Sequence, residues 1–215
     1  MRNCVSLALL CVLAAAPVLA EDAAPPYDAA VRSLSAEERA AMTGVSWHEG
    51  CPVPLDDLRV VELPHHTPDG GSARGLLVVH HDAADAMVTA FGALWQQGFV
   101  VTRMRPVHEF DGSDDKSMAA DNTSAFNCRP KSGGKSWSEH AYGRAVDVNP
   151  MRNPFVKGER VTPPQGKAWL DRDSAKAGVL VSGSDAVQAF RAVGFRWGGH
   201  WRTAKDYQHF SRSGL

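Results

Sequence analysis

Two short polar clusters, far apart in the sequence, most strongly constrain how this chain can fold. The first runs from Ser138 to Asp147 and reads Ser-Glu-His-Ala-Tyr-Gly-Arg-Ala-Val-Asp. The second, Asp206-Tyr-Gln-His209, lies close to the last residue. Together they offer two imidazoles and two carboxylates, the groups that hold a zinc ion with an open coordination position beside a general base. We therefore expect a fold that brings both clusters to one site.

The first cluster predicts two of the metal ligands. If the segment is extended, Ser138 and His140 share a face, so Ser138 is expected to orient the imidazole while His140 binds the metal. Gly143 permits a tight turn after them. Asp147 then lies in a stretch where valines alternate with small or polar residues, which indicates a strand with one polar face. We expect Asp147 to point from that face toward the metal.

The second cluster predicts a third ligand and a base. Asp206 and His209 are three positions apart and would face opposite ways in a straight strand, so a shared site requires a turn or a bulge between them. His209 is the better ligand, because two neutral imidazoles and one carboxylate leave the zinc with a positive charge that lowers the pKa of a bound water. Asp206 is then the general base; the alternative is that it orients His209.

An arginine is also expected, to hold a substrate carbonyl or carboxylate and to stabilise a developing oxyanion. Arg129 is the first choice and Arg105, at the end of a predicted strand, is the second. Either is alternatively a surface cation. Near the second cluster, Trp197 and Trp201 surround a Gly-Gly turn, and we interpret His200 between them as a wall of the cleft rather than a ligand.

The first residues have the order of features of an export signal. Arg2 supplies a positive start, an apolar run follows from Val5 to Ala16, and Val18-Leu19-Ala20 is a small-residue cleavage site. The apolar run is too short to anchor the chain in a bilayer. Residues 1–20 are therefore predicted to be a cleaved signal, and the product to be periplasmic or extracellular with no membrane span.

Cleavage of that signal would leave Cys51 and Cys128 as the cysteines of the mature chain. An even number of cysteines in an exported protein favours a disulfide, so we predict a Cys51–Cys128 bridge. The alternative is a pair of buried thiols.

Length and local patterns indicate a single α+β domain on a small antiparallel or mixed sheet, because strands and helices alternate without a repeating βαβ rhythm. Capping signals and an apolar stripe predict helices that begin near residues 35, 82 and 185. Strands are predicted at 58–63, 75–81 and 99–105, a polar loop at 65–71, a surface loop at 109–116, and a proline-rich covering loop at 149–165.

The two clusters together resemble the M15 family of zinc peptidases. The motifs that carry the resemblance are Ser138-x-His140-x-x-Gly143-x-Ala145-x-Asp147, Trp197-Gly-Gly-x-Trp201 and Asp206-x-x-His209-Phe210. The resemblance implies zinc ligands at His140, Asp147 and His209, a catalytic carboxylate at Asp206, and the small α+β fold shared with the Hedgehog signalling domain. We expect a domain division of 1–20 signal, 21–50 N-terminal extension and 51–215 zinc peptidase domain.

The family includes D-alanyl-D-alanine carboxypeptidases, D,D-dipeptidases and L-alanyl-D-glutamate endopeptidases that act on peptidoglycan. We expect carboxypeptidase-like hydrolysis of the stem peptide or a muropeptide by a monomer. Asp206 departs from the Glu typical of carboxypeptidase members and matches the endopeptidase-like branch, which is the first alternative. Further alternatives are a non-catalytic zinc-stabilised peptide-binding module and a metal-free structural domain. A net charge of -1 argues against a nucleic-acid partner.

Overall fold

The computed structural model of the chain describes residues 26–131, 133–172 and 176–215. The signal predicted for residues 1–20, and the first residues of the predicted extension, lie outside these ranges. The helices are α1 Ala36–Met42, α2 Ala84–Gln96, α3 Asp114–Ala119 and α4 Asp185–Ala192. The strands are β1 Ala30–Ser33, β2 Leu58–His66, β3 Ser72–His80, β4 Arg103–Met104, β5 Asn122–Thr123, β6 Ala145–Asp147, β7 Phe155–Lys157, β8 Arg160–Thr162, β9 Arg196–Trp197, β10 Lys205–Asp206 and β11 His209–Ser211.

These strands form several small sheets rather than the one sheet expected from the sequence. Strands β1, β2 and β3 form an antiparallel sheet, β6, β11 and β9 a second, and β10, β7 and β8 a third. Strands β4 and β5 add a short parallel pair. The described residues thus form a single α+β domain with small sheets and few helices, which confirms the predicted class.

The β2–β3 hairpin is buried on both faces and separates two hydrophobic cores. Val61 and Leu63 pack into a core shared with α2 and α4, while Leu58 and Val60 point into a second core on the other side. This division follows from the two-residue period of a strand, in which successive side chains face opposite ways. The hairpin is therefore the central layer of the domain, and both cores are built against it.

Residues 30–42 are built into this layer. Strand β1 pairs antiparallel with β2, with Ala30 opposite Glu62. Helix α1 begins at the predicted capping box, in which the Ser35 hydroxyl accepts from the Glu38 N–H while the Glu38 carboxylate accepts from the Ser35 N–H. Met42, at the end of α1, is buried in the second core.

Helices predicted from side-chain periodicity and capping are confirmed. The stripe of Met87, Phe91, Leu94 and Trp95 is buried along α2. Its start differs slightly, since a 3₁₀ turn at His81–Ala83 precedes the helix. Helix α4 begins after Ser184, whose hydroxyl accepts from the Val187 N–H.

Several loop and strand predictions are wrong in ways that affect the site. The stretch 149–165 contains the β7–β8 hairpin rather than only a covering loop, because Pro154 and Pro163 lie just outside the paired strands. The predicted surface loop at 109–116 contains the start of α3. The predicted strand 99–105 is reduced to β4, and the first residues of the predicted loop 65–71 belong to β2.

The predicted disulfide between Cys51 and Cys128 is present. The two Cα atoms are 6.0 Å apart, and the bridge spans 77 positions of sequence. Both cysteines pack against the second core. The bridge therefore fixes the segment before β2 to the segment that enters the candidate site.

Within the described ranges, no helix combines the length and the apolar character needed to cross a bilayer.

Replacing both cysteines, as Cys51→Ser with Cys128→Ser, should lower the free energy of unfolding by about 4 kcal/mol, since the unfolded chain loses a long closed loop. Urea unfolding of the variant and of the oxidised wild type measures the difference. Titration of thiols in the unfolded, unreduced wild type is the control; two free thiols there would contradict the bridge.

Candidate active site

Strand β6 brings Asp147 next to His209. Strands β6 and β11 are antiparallel, and Asp147 and His209 are register partners, so their side chains project as direct neighbours. On its other edge Asp147 is bridged to Ser124, whose N–H and carbonyl bond to the main chain of Asp147 at 3.0 and 2.9 Å. Asp147 thus lies in the middle of a local ladder and is buried.

His140 reaches the same point from a 3₁₀ turn at Glu139–Tyr142, not from the extended segment predicted. The Ser138 hydroxyl caps this turn by accepting from the main-chain N–H of His140 at 3.4 Å. The expectation that Ser138 orients the imidazole is therefore wrong. The ring is held by Ala125 instead, whose carbonyl oxygen lies 2.6 Å from Nδ1 of His140.

Gly143 ends this turn and permits close packing against β3. Its φ of +64° is in the left-handed region, and a Cβ there would lie 2.5 Å from the main-chain nitrogen of His80. The same close approach allows the His80 N–H to donate to the Gly143 carbonyl at 2.9 Å. The tight turn predicted at this glycine is confirmed.

Three predicted ligands converge. Nε2 of His140 lies 3.2 Å from Nδ1 of His209 and 3.3 Å from Oδ2 of Asp147. Nδ1 of His209 lies 3.0 Å from Oδ1 of Asp147. All three residues are buried.

The outer hydrogen bonds of the two histidines decide which ring nitrogens face inward as acceptors. The Ala125 carbonyl only accepts, so Nδ1 of His140 carries the proton and Nε2 presents its lone pair. A main-chain oxygen of Leu215 similarly takes Nε2–H of His209 at 3.2 Å. The cluster then holds two imidazole lone pairs and a carboxylate, with no proton between them. A cation satisfies all three groups, so this donor set fits a metal ion.

The electrostatics of the cluster show the same need for positive charge. Burial alone would raise the pKa of Asp147, but its interactions with His140 and His209 outweigh burial and hold that pKa well below its usual range. Burial acts to lower the pKa of His209, but Asp147 outweighs it and raises that pKa. The ionised Asp147 thus draws either a proton or a cation into the cluster.

Asp206 approaches the cluster from another sheet. Strand β10 pairs with β7, whereas β11 pairs with β6, so the chain changes sheets between Asp206 and His209. This is the break that their three-residue spacing required. Gly198 makes room for it, since a Cβ there would lie 2.7 Å from the Asp206 carbonyl oxygen and 2.8 Å from the Asp206 Cβ.

Asp206 carries an unsatisfied polar atom in this site. Its Oδ1 is shielded from solvent and has no hydrogen-bond partner within the described part of the chain. Burial raises the pKa of Asp206 to about 7, with His209 opposing the rise and Asp147 adding to it. An unpaired carboxylate oxygen beside a metal-ready cluster is suited to accept a proton from a bound reactant.

A cavity of about 520 Å³ opens above these residues, a volume typical of sites for small ligands. Its lining combines acids, bases and apolar surfaces. The described lining residues are Asp114, Met118, Arg129, Lys131, Ser138, Glu139, His140, Asp147, Phe155, Lys157, Arg160, Thr162, Trp201, Asp206, Gln208, His209, Gly214 and Leu215.

Arg129 lines this cavity together with an acid that sequence reasoning missed. Its Nη2 lies 2.6 Å from Oδ2 of Asp114, the first residue of α3. Burial raises the pKa of Asp114, while the charge of Arg129 opposes that rise. The ion pair fixes the direction of the guanidinium at the cavity wall. The signal available for Asp114 was the helix start after Ser113, which the charged composition of 109–116 concealed.

The remaining predicted site residues differ in whether they line the cavity: Trp201 does, whereas Trp197, His200 and Arg105 do not belong to its described lining. Trp201 lines the cavity, and its ring centroid is 5.7 Å from that of His209. Trp197 is buried in the core, and its Nε1–H donates to the Tyr207 carbonyl. His200 is exposed and packs edge-on against Trp197. Arg105 is absent from the described lining of the cavity and forms an ion pair with Glu109 at 2.6 Å instead.

Comparison with known protein families supports a peptidase. Residues 132–212 match a model of the M15 peptidase family that is described as D-alanyl-D-alanine carboxypeptidase. The match includes His140, Asp147, Asp206 and His209. The match confirms the resemblance to M15 family peptidases over this segment and supports a hydrolase. No curated protein and no solved structure matches the chain.

Gly143→Ala should destabilise the fold and displace His140, because the new Cβ meets the main chain of His80. Gly158→Ala is a matched control, since Gly158 has a φ of +57° but nothing within 4 Å of its Cβ position. The control should cost about 1–2 kcal/mol from its left-handed backbone, and Gly143→Ala should cost clearly more. Urea unfolding measures both; equal losses would show that the close approach at Gly143 is unimportant.

Proposed function

We propose that the chain is an exported zinc peptidase that hydrolyses the stem peptide of peptidoglycan, most closely as a D-alanyl-D-alanine carboxypeptidase does. The observation that carries this proposal is the inward convergence of His140, Asp147 and His209 beside the unpaired Oδ1 of Asp206. The family match over residues 132–212 supports peptidoglycan-related substrates. The disulfide is in keeping with export. We extend the proposal to a fold like that of the Hedgehog domain and the D,D-peptidases, and to a monomer.

In this mechanism each residue has a separate task. His140, Asp147 and His209 would hold the zinc ion, which when bound acts as a Lewis acid and lowers the pKa of water. Asp206 accepts a proton from the attacking water and returns it to the nitrogen of the leaving amine. Arg129, held by Asp114, orients a carbonyl or carboxylate of the peptide.

A second candidate is an L-alanyl-D-glutamate endopeptidase on the same site. The observation that favours it is the shorter carboxylate at Asp206, where carboxypeptidase relatives typically have Glu. Both candidates use the same ligands and base, so they differ only in which bond lies over the cluster.

Mass spectrometry of purified muropeptides after incubation with the zinc-loaded chain tests the proposal and separates the two candidates. Loss of a terminal D-Ala supports the carboxypeptidase, and cleavage after L-Ala supports the endopeptidase. Unchanged muropeptides with fully zinc-loaded protein would contradict both.

His140→Ala and His209→Ala should each lower the affinity for zinc strongly. Changes to the groups around metal ligands typically lower that affinity about 10–100-fold, and loss of a ligand should cost more. His200→Ala is the matched control, because that histidine is close in sequence but exposed. Metal analysis after dialysis against a zinc buffer measures occupancy. Full occupancy in both ligand variants would exclude the site.

Asp206→Asn should keep zinc and lose about 10²–10⁴-fold in turnover, because the amide preserves shape but cannot accept the proton. Asp171→Asn, at a carboxylate whose side chain is 82% exposed, is the control and should be fully active. The measurements are zinc content and turnover on the cleaved muropeptide. A zinc-free Asp206→Asn would make Asp206 a ligand, and a fully active one would exclude it as the base.

A further inference from the structure

One face of the β10–β7–β8 sheet forms a wall of the candidate active site. Asp206, Phe155 and Thr162 are successive register partners across the three strands, and Lys157 is the register partner of Arg160. Register partners project on the same face, as do residues two apart on one strand. All of these residues line the cavity. The catalytic carboxylate and the two cations therefore stand on one surface.

The opposite face of the hairpin carries apolar residues instead. Val156 and Val161, the register partners between these two rungs, are absent from the described lining of the cavity. Val161 is buried. The alternation follows the two-residue period of the strands, so the hairpin holds Lys157 and Arg160 toward the cavity side.

The two cations face each other across the β7–β8 hairpin. Like charges directly opposite in an antiparallel pair are destabilising. Lys157 and Arg160 are exposed, and within the described residues neither forms a salt bridge. Arg160 donates from Nε to the Thr162 hydroxyl at 3.3 Å, which directs its guanidinium along the face of the sheet. An anion from the substrate would relieve this repulsion.

The cationic pair differs in depth from the acid of the candidate metal cluster. Asp147 is buried, whereas Lys157 and Arg160 are exposed at the turn of the β7–β8 hairpin. Lys157 is two residues beyond Phe155 on β7, a distance of about 6.7 Å along the strand. An extended peptide covers about 3.3–3.6 Å per residue. A peptide bound along the wall would therefore present a group about two residues from the reacting bond to the cationic pair.

We propose that Lys157 and Arg160 form a subsite for a free carboxylate of the peptide substrate, within about two residues of the bond that is cleaved. This inference rests on the proposed peptidase function and adds a determinant of specificity to it. The subsite is distinct from Arg129, whose guanidinium is already paired with Asp114. The carboxylate comes either from the C-terminus of the peptide or from a glutamyl residue within it.

Binding without turnover tests the subsite. The protein is zinc-loaded Asp206→Asn, alone and combined with Lys157→Gln, Arg160→Gln or both. The probes are an N-acetylated L-Ala–γ-D-Glu–L-Lys–D-Ala–D-Ala peptide and two analogues, one amidated at the terminal carboxylate and one at the glutamyl carboxylate. Calorimetry at low and high salt measures each affinity. Lys167→Gln, which removes an exposed charge outside the described lining, is the matched control.

Each cationic substitution should weaken binding of the free-acid peptide about tenfold, as expected for a charge-assisted contact. The analogue amidated at the recognised carboxylate should already bind that much more weakly and should lose nothing further, which identifies the source of the carboxylate. The preference for the free acid should decrease at high salt. Lys167→Gln should bind all three peptides as the parent does.

Three results would overturn the subsite. The first is equal affinity for all three peptides. The second is a loss of affinity on substitution that is the same for free and amidated peptides, and the third is no binding by any variant. Cleavage by the wild type is a separate readout for the proposed function. Carboxylate-dependent binding without cleavage supports the subsite and contradicts the peptidase function. Cleavage that amidation does not change supports the peptidase function and contradicts the subsite.

Discussion

The antiparallel pairing of Asp147 with His209 is the constraint on which the rest of the site depends. Register alone makes these two side chains neighbours, with Nδ1 and Oδ1 at 3.0 Å. The bridge from Asp147 to Ser124 then places Ala125 where its carbonyl receives Nδ1–H of His140. One local ladder thus fixes two ligands directly and the third through a main-chain hydrogen bond. The hydrogen bonds of the chain itself thus set the orientation of the rings, which is how preorganised metal sites limit the cost of binding.

The sequence predicted well which side chains come together at the candidate site, because candidate ligands and bases are few residue types with strict requirements. His140, Asp147 and His209 converge as expected, and the conflict between a three-residue spacing and a two-residue strand period correctly required a break after Asp206. Local signals also predicted the capping box at Ser35 and the stripe along α2. These features depend on neighbours in the sequence, so they could be read without knowledge of the fold.

The failures concern contacts between distant segments. The partner of the His140 ring is a carbonyl, and every residue carries a carbonyl, so no residue type marked Ala125. Asp114 lies in a charged stretch that looks like a solvated loop until α3 turns it toward Arg129. Prolines near 154 and 163 argued against strands, although they only bound the β7–β8 hairpin. The assignment of Arg105 depended on a strand far longer than β4 proves to be.

The long sequence separation within the ligand cluster has a consequence for how the protein becomes active. His209 is 62 positions from Asp147 and 69 from His140. Closing such loops has an entropic cost that must be met before their contacts form, so nonlocal pairings slow folding and tend to form late. Local helices such as α2 can form while β6 and β11 are still apart. A partly folded chain would therefore contain recognisable secondary structure but no complete donor set, and hydrolytic competence would appear only as folding finishes.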